Sequence, residues 1–303
     1  MSATVDQNPV AGVIATAHDT GGEIERLDPR PPVHEAPGFE WSRIVGPLIT
    51  FVVFLAVWHW MHTTGMRQLF DKPGFLLPAP ETVIDQSFLH AEARSKLLGG
   101  VGWTALVALV GLLITIVIGM TIATIMAQAK WAERSFYPYL VALQAIPILA
   151  VIPVINSVFG GGIAARLYVC IMISIFPIIT NTLFGLMSAD QGQHDLFTLR
   201  GASRWTRLFK LQYPAAMPAI FTGFRISAGL SVIGAVVGEQ FFRKGNKPGI
   251  GIVMEVYRQK IKFPQIYGGL ILAAGLGIVV FLLFGLLSKA VVGHWHDSAR
   301  KSA

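Results

Sequence analysis

Chemistry needs nucleophiles, bases or metal ligands that converge. His294, His296 and Asp297 form a dense cluster of them, of types that suit a metal ion or a proton transfer. They lie in a short polar tail with no convergent partners, which favours a solvated tail. Cys170, the single cysteine, sits in an apolar run. It can form neither an internal disulfide nor a multi-cysteine metal site, and it reads as a small buried hydrophobe. The stretch Gly245 to Gly251 is glycine-containing but lacks the G-x-x-x-x-G-K-[ST] ending that grips phosphate and magnesium. Arg225 and Glu239 lie inside an otherwise apolar stretch, where ionisable groups are functional suspects. They are about four helical turns apart and cannot pair with each other. Arg225 is placed to snorkel to an interface, and Glu239 falls on a face turned to protein or to a polar pathway. No clustered set of groups fits an enzyme's site.

The elements that must hold these residues follow from composition. The chain has 303 residues, 53% hydrophobic and only 14% charged, against about 25% charged in ordinary soluble domains. Much of its solvent is therefore expected to be lipid. The net charge of +7 is unevenly spread, with two basic and seven acidic groups in residues 1–40. That tail holds Pro9, Pro29, Pro31, Pro32 and Pro37 with few large apolar residues, too little to offset its ordering entropy, and we expect it to be disordered. Its acidic, polar start is not that of a cleaved secretory signal. No basic stripe interleaves with aromatics, so nucleic-acid binding is not expected.

A helix needs about 20 apolar residues to cross hydrocarbon about 30 Å thick. Six stretches qualify: between Arg43 and Arg67, within Leu97 to Ala129, Phe136 to Phe159, Leu167 to Met187, Ala219 to Phe241, and between Lys262 and Lys289. The expected fold is an all-α integral membrane protein of about six transmembrane helices. In the second span Gly111, Thr115, Gly119, Ala123 and Ala127 form a four-residue ladder, and Gly223, Ser227, Ser231 and Ala235 do so in the fifth. Such faces let helices approach closely in lipid, either in a tight bundle or along a pathway. Pro147 and Pro153 in the third span and Pro177 in the fourth are expected to bend or break their helices. With Gln144, Asn156 and Asn181 nearby, these spans line a solute pathway or use their amides between helices. Ser227, Ser231 and Glu239 complete the candidate pathway set.

Between the first two spans, Val83, Ile84 and Phe88 recur at near-helical spacing after Pro78 and Pro80, which suggests a short interfacial helix. His59 and His62 stand beside Trp58 and Trp60 and read as interfacial residues of an aromatic belt.

Residues 188–218 are too polar for lipid yet rich in order-promoting residues. Leu196, Phe197 and Leu199 precede Gly201, while Trp205, Leu208 and Phe209 follow it. Gly201 can adopt the positive φ that closes one helix, and Ser203 is placed to cap the next. Two short amphipathic helices with a glycine corner are expected, with Pro214 and Pro218 fixing the start of the fifth span. An amphipathic pair of this kind also suits the bilayer surface.

The spacing in this segment resembles the permease subunits of bacterial ABC importers. Their cytoplasmic loop carries EAA, three residues, Gly, nine residues, Ile, any residue, Leu, Pro. Asp195, Leu196 and Phe197 occupy the EAA positions, followed by Gly201, Leu211, Tyr213 and Pro214, with Leu and Phe in place of two alanines and a shorter acid. Further strings, LPAPETVIDQSF, FPIITNTLFG, AVVGEQFF and GIGIVMEVY, are similar to the branch importing taurine, sulfonates, nitrate, bicarbonate or vitamin precursors. The resemblance extends from about Leu77 to Trp295.

It implies a permease domain over 41–295, flanked by the tail 1–40 and a short tail 296–303, with the loop 188–218 as a cytoplasmic coupling helix. Asp195, Leu196, Phe197, Gly201, Ala202, Leu211 and Pro214 would dock on a separate ATPase subunit. Implied partners are two ATP-binding-cassette ATPases, a second permease copy or homologue, an extracytoplasmic solute-binding protein and membrane lipid. This chain would bind no cofactor, with ATP and magnesium held by the ATPase, so it is not itself expected to be an enzyme.

A bacterial cytoplasmic-membrane location with both termini inside is likewise implied. The basic residues divide nearly evenly between the two sides on that topology and barely support it. The six basic residues from Arg243 to Lys262 would lie outside, and they tilt the solute toward anions, although solvated loop charge explains them too. A secondary transporter is the rival reading. It would need midspan coupling carboxylates and repeat symmetry, and neither is evident.

Overall fold

The computed structural model describes residues 42–245 and 247–293. The acidic tail and the His294, His296 and Asp297 cluster lie outside them. The chain divides into two compact units between Val53 and Phe54. In the first, the helix α1 (Ser42–Trp60) begins, and the Thr50 hydroxyl donates to the Gly46 carbonyl at 3.0 Å. Through a π-helical turn at Met61–Gly65 it runs on into α2 (Met66–Phe70), and Val45–Phe70 is apolar enough to cross a membrane.

In the second unit, Trp58 Nε1 donates to the Pro78 carbonyl at 3.0 Å, and His62 Nδ1 lies 2.6 Å from the Leu77 carbonyl. These contacts pin the proline turn. It is followed by α3 (Pro80–Ile84), with Pro80 in the first turn where its missing N–H costs nothing. A further π-helical turn, Asp85–Leu89, buries Ser87, which donates to the Pro264 carbonyl at 2.9 Å. The expected short helix is therefore held against protein along one face.

The bundle comprises α4 (Ala91–Gln128), α5 (Lys130–Ala145), α6 (Ile148–Phe159), α7 (Ile163–Met187), α10 (Tyr213–Phe241) and α12 (Phe263–Val292). Between α7 and α10 lie α8 (Gln191–Leu199) and α9 (Arg204–Arg207), and between α10 and α12 lies α11 (Ile250–Gln259). Among the described residues five helical stretches are long and apolar enough to span, and a sixth span is reached if α5 and α6 are taken together. Among the described residues there is no strand. Large apolar side chains such as Val117, Phe184, Leu283 and Leu286 point outward, as expected where lipid is the solvent.

Both small-residue ladders close onto α7. A Cβ added at Gly234 would lie 2.7 Å from Cys170 Cα, and one at Gly223 would lie 2.9 Å from the Pro177 carbonyl. On the other side, α4 presses Gly111 against Cys170 and Gly119 against Ile178, and Thr115 meets Ser174 at 3.2 Å. Helices this close gain van der Waals contact and bonds between hydroxyls, the terms that drive association in lipid. Of the two expectations, the ladders follow the tight bundle.

The third span departs from a straight helix. The α5 and α6 axes are bent by 100° at Ile146 and Pro147, both in extended backbone. Pro147 has no N–H to give and disfavours helical backbone at Ile146, so the chain breaks there. Pro177 behaves differently, since α7 runs unbroken through it. Its carbonyl accepts from Asn181 Nδ2 at 2.8 Å and lies under Gly223.

Candidate functional site

The segment 188–218 folds as a corner. After Leu199 the chain turns at Gly201, whose φ of +65° is left-handed. The Ala202 N–H donates to the Phe197 carbonyl and the Gly201 N–H to the Thr198 carbonyl, both at 2.9 Å. This pair of bonds is a Schellman closure, and a Cβ at Gly201 would cost about 1–2 kcal/mol from backbone conformation alone. Ser203 then caps α9, accepting the Thr206 N–H at 3.2 Å. Across the corner, Arg207 Nη1 donates to the Thr198 hydroxyl at 3.3 Å.

The expected second short helix is not separate. The backbone from Arg204 to Phe241 is one 38-residue helical stretch, with a π-helical turn at Leu208–Gln212 joining α9 to α10. Pro214 would clash with the carbonyl of the preceding turn of an α-helix, and a widened turn just before it relieves that. Pro214 and Pro218 thus sit inside a continuous rod. Leu208 is fully buried with Leu186, Ala216 and Ile220, which seats the rod on the end of α7.

The outward side is different. Leu199 is 86% exposed and Trp205 68%, and Leu196 and Phe209 are exposed as well. Trp205, Phe209 and Tyr213 stack successively, with centroids 6.1 and 5.7 Å apart. An open cavity of about 490 Å³ beside the corner is lined by Leu196, Phe197, Leu211 and Pro214, together with Gln193 and Lys210. Four of the seven corner residues singled out in the sequence therefore line one cavity. Gly201 and Ala202 form the turn itself, and Asp195 is exposed, accepting from Gln191 at 3.4 Å.

The candidate pathway residues do not come together. Ser227 and Ser231 have no exposed surface; Ser227 donates to the Ser174 carbonyl at 2.7 Å and Ser231 to Ala228 at 2.8 Å. Asn181 is occupied with Pro177. Ser227 thus bridges α10 to α7, Asn181 and Ser231 bond the backbone of their own helices, and Gln144 and Asn156 are exposed. Gln144 lines a cavity of about 280 Å³ at the α5–α6 bend, with Met172, Phe176 and Pro177.

Glu239 is fully buried and faces protein. The Thr104 hydroxyl reaches its two carboxylate oxygens at 2.8 and 3.0 Å, the Gly251 N–H donates at 3.0 Å, and the Ile250 N–H donates to Thr104 at 2.8 Å. Gly249 leaves room for that carboxylate, since a Cβ there would collide with it. This node fastens α11 to α4 and α10. Arg225 instead lies over the Phe281 ring at 4.0 Å.

Sequence reasoning missed Thr104, which is an ordinary polar residue in an apolar run until Glu239 meets it across 135 positions. It also missed Arg166, which falls just before the expected start of the fourth span at Leu167. A lone arginine at that edge was the available signal. Arg166 is 2% exposed and donates to the Phe242 carbonyl at 2.8 Å and the Lys244 carbonyl at 3.2 Å.

Residues 115–295 match the family described as the binding-protein-dependent transport system inner membrane component. The chain belongs to this family. It is 31% identical over 275 residues to the riboflavin transport system permease protein of Chloroflexus aurantiacus, covering 91% of this chain and 98% of that one. It is 29% identical to the formylaminopyrimidine transport permease protein of Halalkalibacterium halodurans, covering 78% and 90% of the two chains. It is 25% identical to a nitrate import permease protein of Synechocystis, covering 82% and 90%. A crystal structure of an amino acid ABC transporter with histidines shares the fold, with a TM-score of 0.51 at 17% identity over 66% of this chain and 94% of that one. The chain is thus a multi-pass inner-membrane permease subunit of an ABC importer, and its relatives are transport permeases. The match begins inside the second span, later than the resemblance read from Leu77.

Proposed function

We propose that the Gly201 corner is the coupling element of this permease and docks in a groove on a separate ATP-binding-cassette ATPase. The observation that carries this reading is the pairing of an exposed apolar face, Leu196, Leu199, Trp205 and Phe209, with a continuous helix from Arg204 to Phe241. An amphipathic face set in a groove transmits rigid-body motion only if its base is stiff. Here Trp205 and Phe209 of the docking face stand on the same rod as the fifth span, and the Schellman turn and the Arg207–Thr198 bond hold α8 to it, so displacement of the corner moves the membrane helix.

On this reading 188–218 is cytoplasmic, six spans put both termini there too, and α11 faces outward. Two ATPases bind and hydrolyse ATP with magnesium, a second permease copy or homologue completes the pathway, and a solute-binding protein delivers the solute from outside. The solute is small, in keeping with the relatives' names. The α5–α6 bend, where broken backbone needs protein or water as cover, is the candidate pathway wall, with Gln144 as its polar group.

Affinity purification of the detergent-solubilised chain from its native membrane tests the proposal. A stoichiometric ATPase with a phosphate-binding loop, lost in Gly201→Pro, is the expected result. Recovery of the correctly inserted wild-type chain without any ATPase, under conditions that keep a known importer assembled, overturns it.

A further inference from the structure

The external end of α7 carries a feature that the coupling mechanism does not use. An open cavity of about 590 Å³ is lined by Trp103, Gly162, Ile163, Arg166, Lys244, Gly245 and Lys247. Three of these seven residues are cationic, and no carboxylate lines the cavity. Arg166 has its side chain buried in the bundle, and among the described residues its guanidinium meets only the carbonyls of Phe242 and Lys244, with no carboxylate within ion-pairing distance. Glu239 acts on Arg166 electrostatically, but from beyond ion-pairing distance. A buried cation offset only at that range is stabilised further by a negative charge that meets it directly.

The surroundings reinforce that demand. Gly162 and Ile163 begin the 25-residue helix α7, whose first N–H groups point out of the helix at its positive end. Lys247 Nζ lies 5.3 Å from the Trp103 ring centroid, which holds an exposed lysine over the cavity wall. The Lys244 N–H donates to the Gly161 carbonyl at 3.1 Å, so the loop after α10 is anchored to the turn before α7 and its lysine stays at the rim. The Trp103 indole nitrogen is buried without an acceptor among the described residues.

We propose that this cavity binds an oxyanion, a sulfonate, sulfate, carboxylate or phosphate group, between Lys244, Lys247 and the Arg166 end of α7. A free solute and an anionic lipid headgroup present the same chemistry. The binding needs no ATPase partner, so its test is separate from that of the coupling corner.

The experiment uses the full chain in phosphatidylcholine nanodiscs, titrated with sodium sulfate against sodium chloride at matched ionic strength. Thermal unfolding and acetylation of each lysine are followed. Sulfate is expected to raise the midpoint saturably and to protect Lys244 and Lys247 but not the exposed Lys72. Lys244→Gln with Lys247→Gln is expected to weaken the effect on the order of tenfold, while the paired Lys→Arg variant retains it. If instead phosphatidylglycerol in the nanodisc gives the stabilisation and protection, and sulfate adds nothing, the headgroup is the source and the oxyanion site stands. If neither sulfate nor phosphatidylglycerol protects the two lysines in the wild-type chain, the proposal is overturned, whether or not the variants fold.

Discussion

The Tyr213 phenol lies 2.8 Å from the Thr124 hydroxyl, which ties the base of the corner to the C-terminal end of α4. One helical turn away along α4, Gln128 donates to Gln212 at 2.7 Å. With Trp205 and Phe209 stacked on Tyr213, an unbroken aromatic column runs from an exposed surface to a second membrane helix. Motion of the corner therefore has two ways into the membrane, along α10 and across to α4.

Tyr213→Phe keeps the stack and removes the phenol. Loss of one such bond is expected to cost about 0.5–1.5 kcal/mol. A modest fall in thermal midpoint together with fewer solute molecules moved per ATP, measured in proteoliposomes with the complete transporter, is the expected outcome. An unchanged transport-to-ATP ratio would remove α4 from the coupling route.

At Gly201, alanine and proline are expected to differ. Alanine keeps the N–H to Thr198 and bears only the left-handed penalty of about 1–2 kcal/mol. Proline fixes φ near −65° and removes that donor. ATPase retention on purification should fall from glycine to alanine to proline, with insertion unchanged. Equal retention in all three would show that the corner geometry is not needed.

Close approach makes the glycines of the bundle unequal. Gly234→Val would drive a Cβ against Cys170 backbone, which cannot swing aside, and overpacking of this kind costs about 1–3 kcal/mol or more. Gly275→Ala on α12 meets nothing within 4 Å and should be neutral or stabilising by up to about 1 kcal/mol through helix propensity. Yield and thermal midpoint of the two purified variants check the contrast.

Outside the spans, Glu255 is clamped by Arg258 at 2.6 Å through two bonds and by Arg243 at 3.0 Å. The Arg258 bonds, ahead of the Arg243 bond, hold its carboxyl at about 2 against an ordinary 4.5. Because the folded value is the lower one, the clamp's stabilisation is fully present above 4.5 and is lost as pH falls through the folded value. The difference in thermal midpoint between wild type and Glu255→Gln should be flat from pH 8 to about pH 5 and vanish near pH 2. The two arginines are exposed, so solvent screens the clamp and the effect is small in size.

Periodicity carried the ladders, because Gly111 to Ala127 and Gly223 to Ala235 repeat at the helix's own interval. It also carried the Gly201 corner, where a glycine between two apolar clusters admits few other folds. Periodicity could not show the 100° bend, since Pro147 alone does not say whether a helix kinks, breaks or, as at Pro177, runs on. It could not join Thr104 to Glu239 or Arg166 to the loop after α10, because those contacts link residues far apart in sequence. A ladder does not say which neighbour it faces, so the burial of Ser227 against α7 was not legible in the spacing.

Site-specific photocrosslinking at Leu199 tests the central claim most directly. With a photoreactive residue there, and a control at the outward-facing Leu286 of α12, the account predicts an ATP-binding subunit adduct from Leu199 and none from Leu286. Crosslinking of both positions to lipid alone, in membranes that contain the assembled transporter, would contradict it.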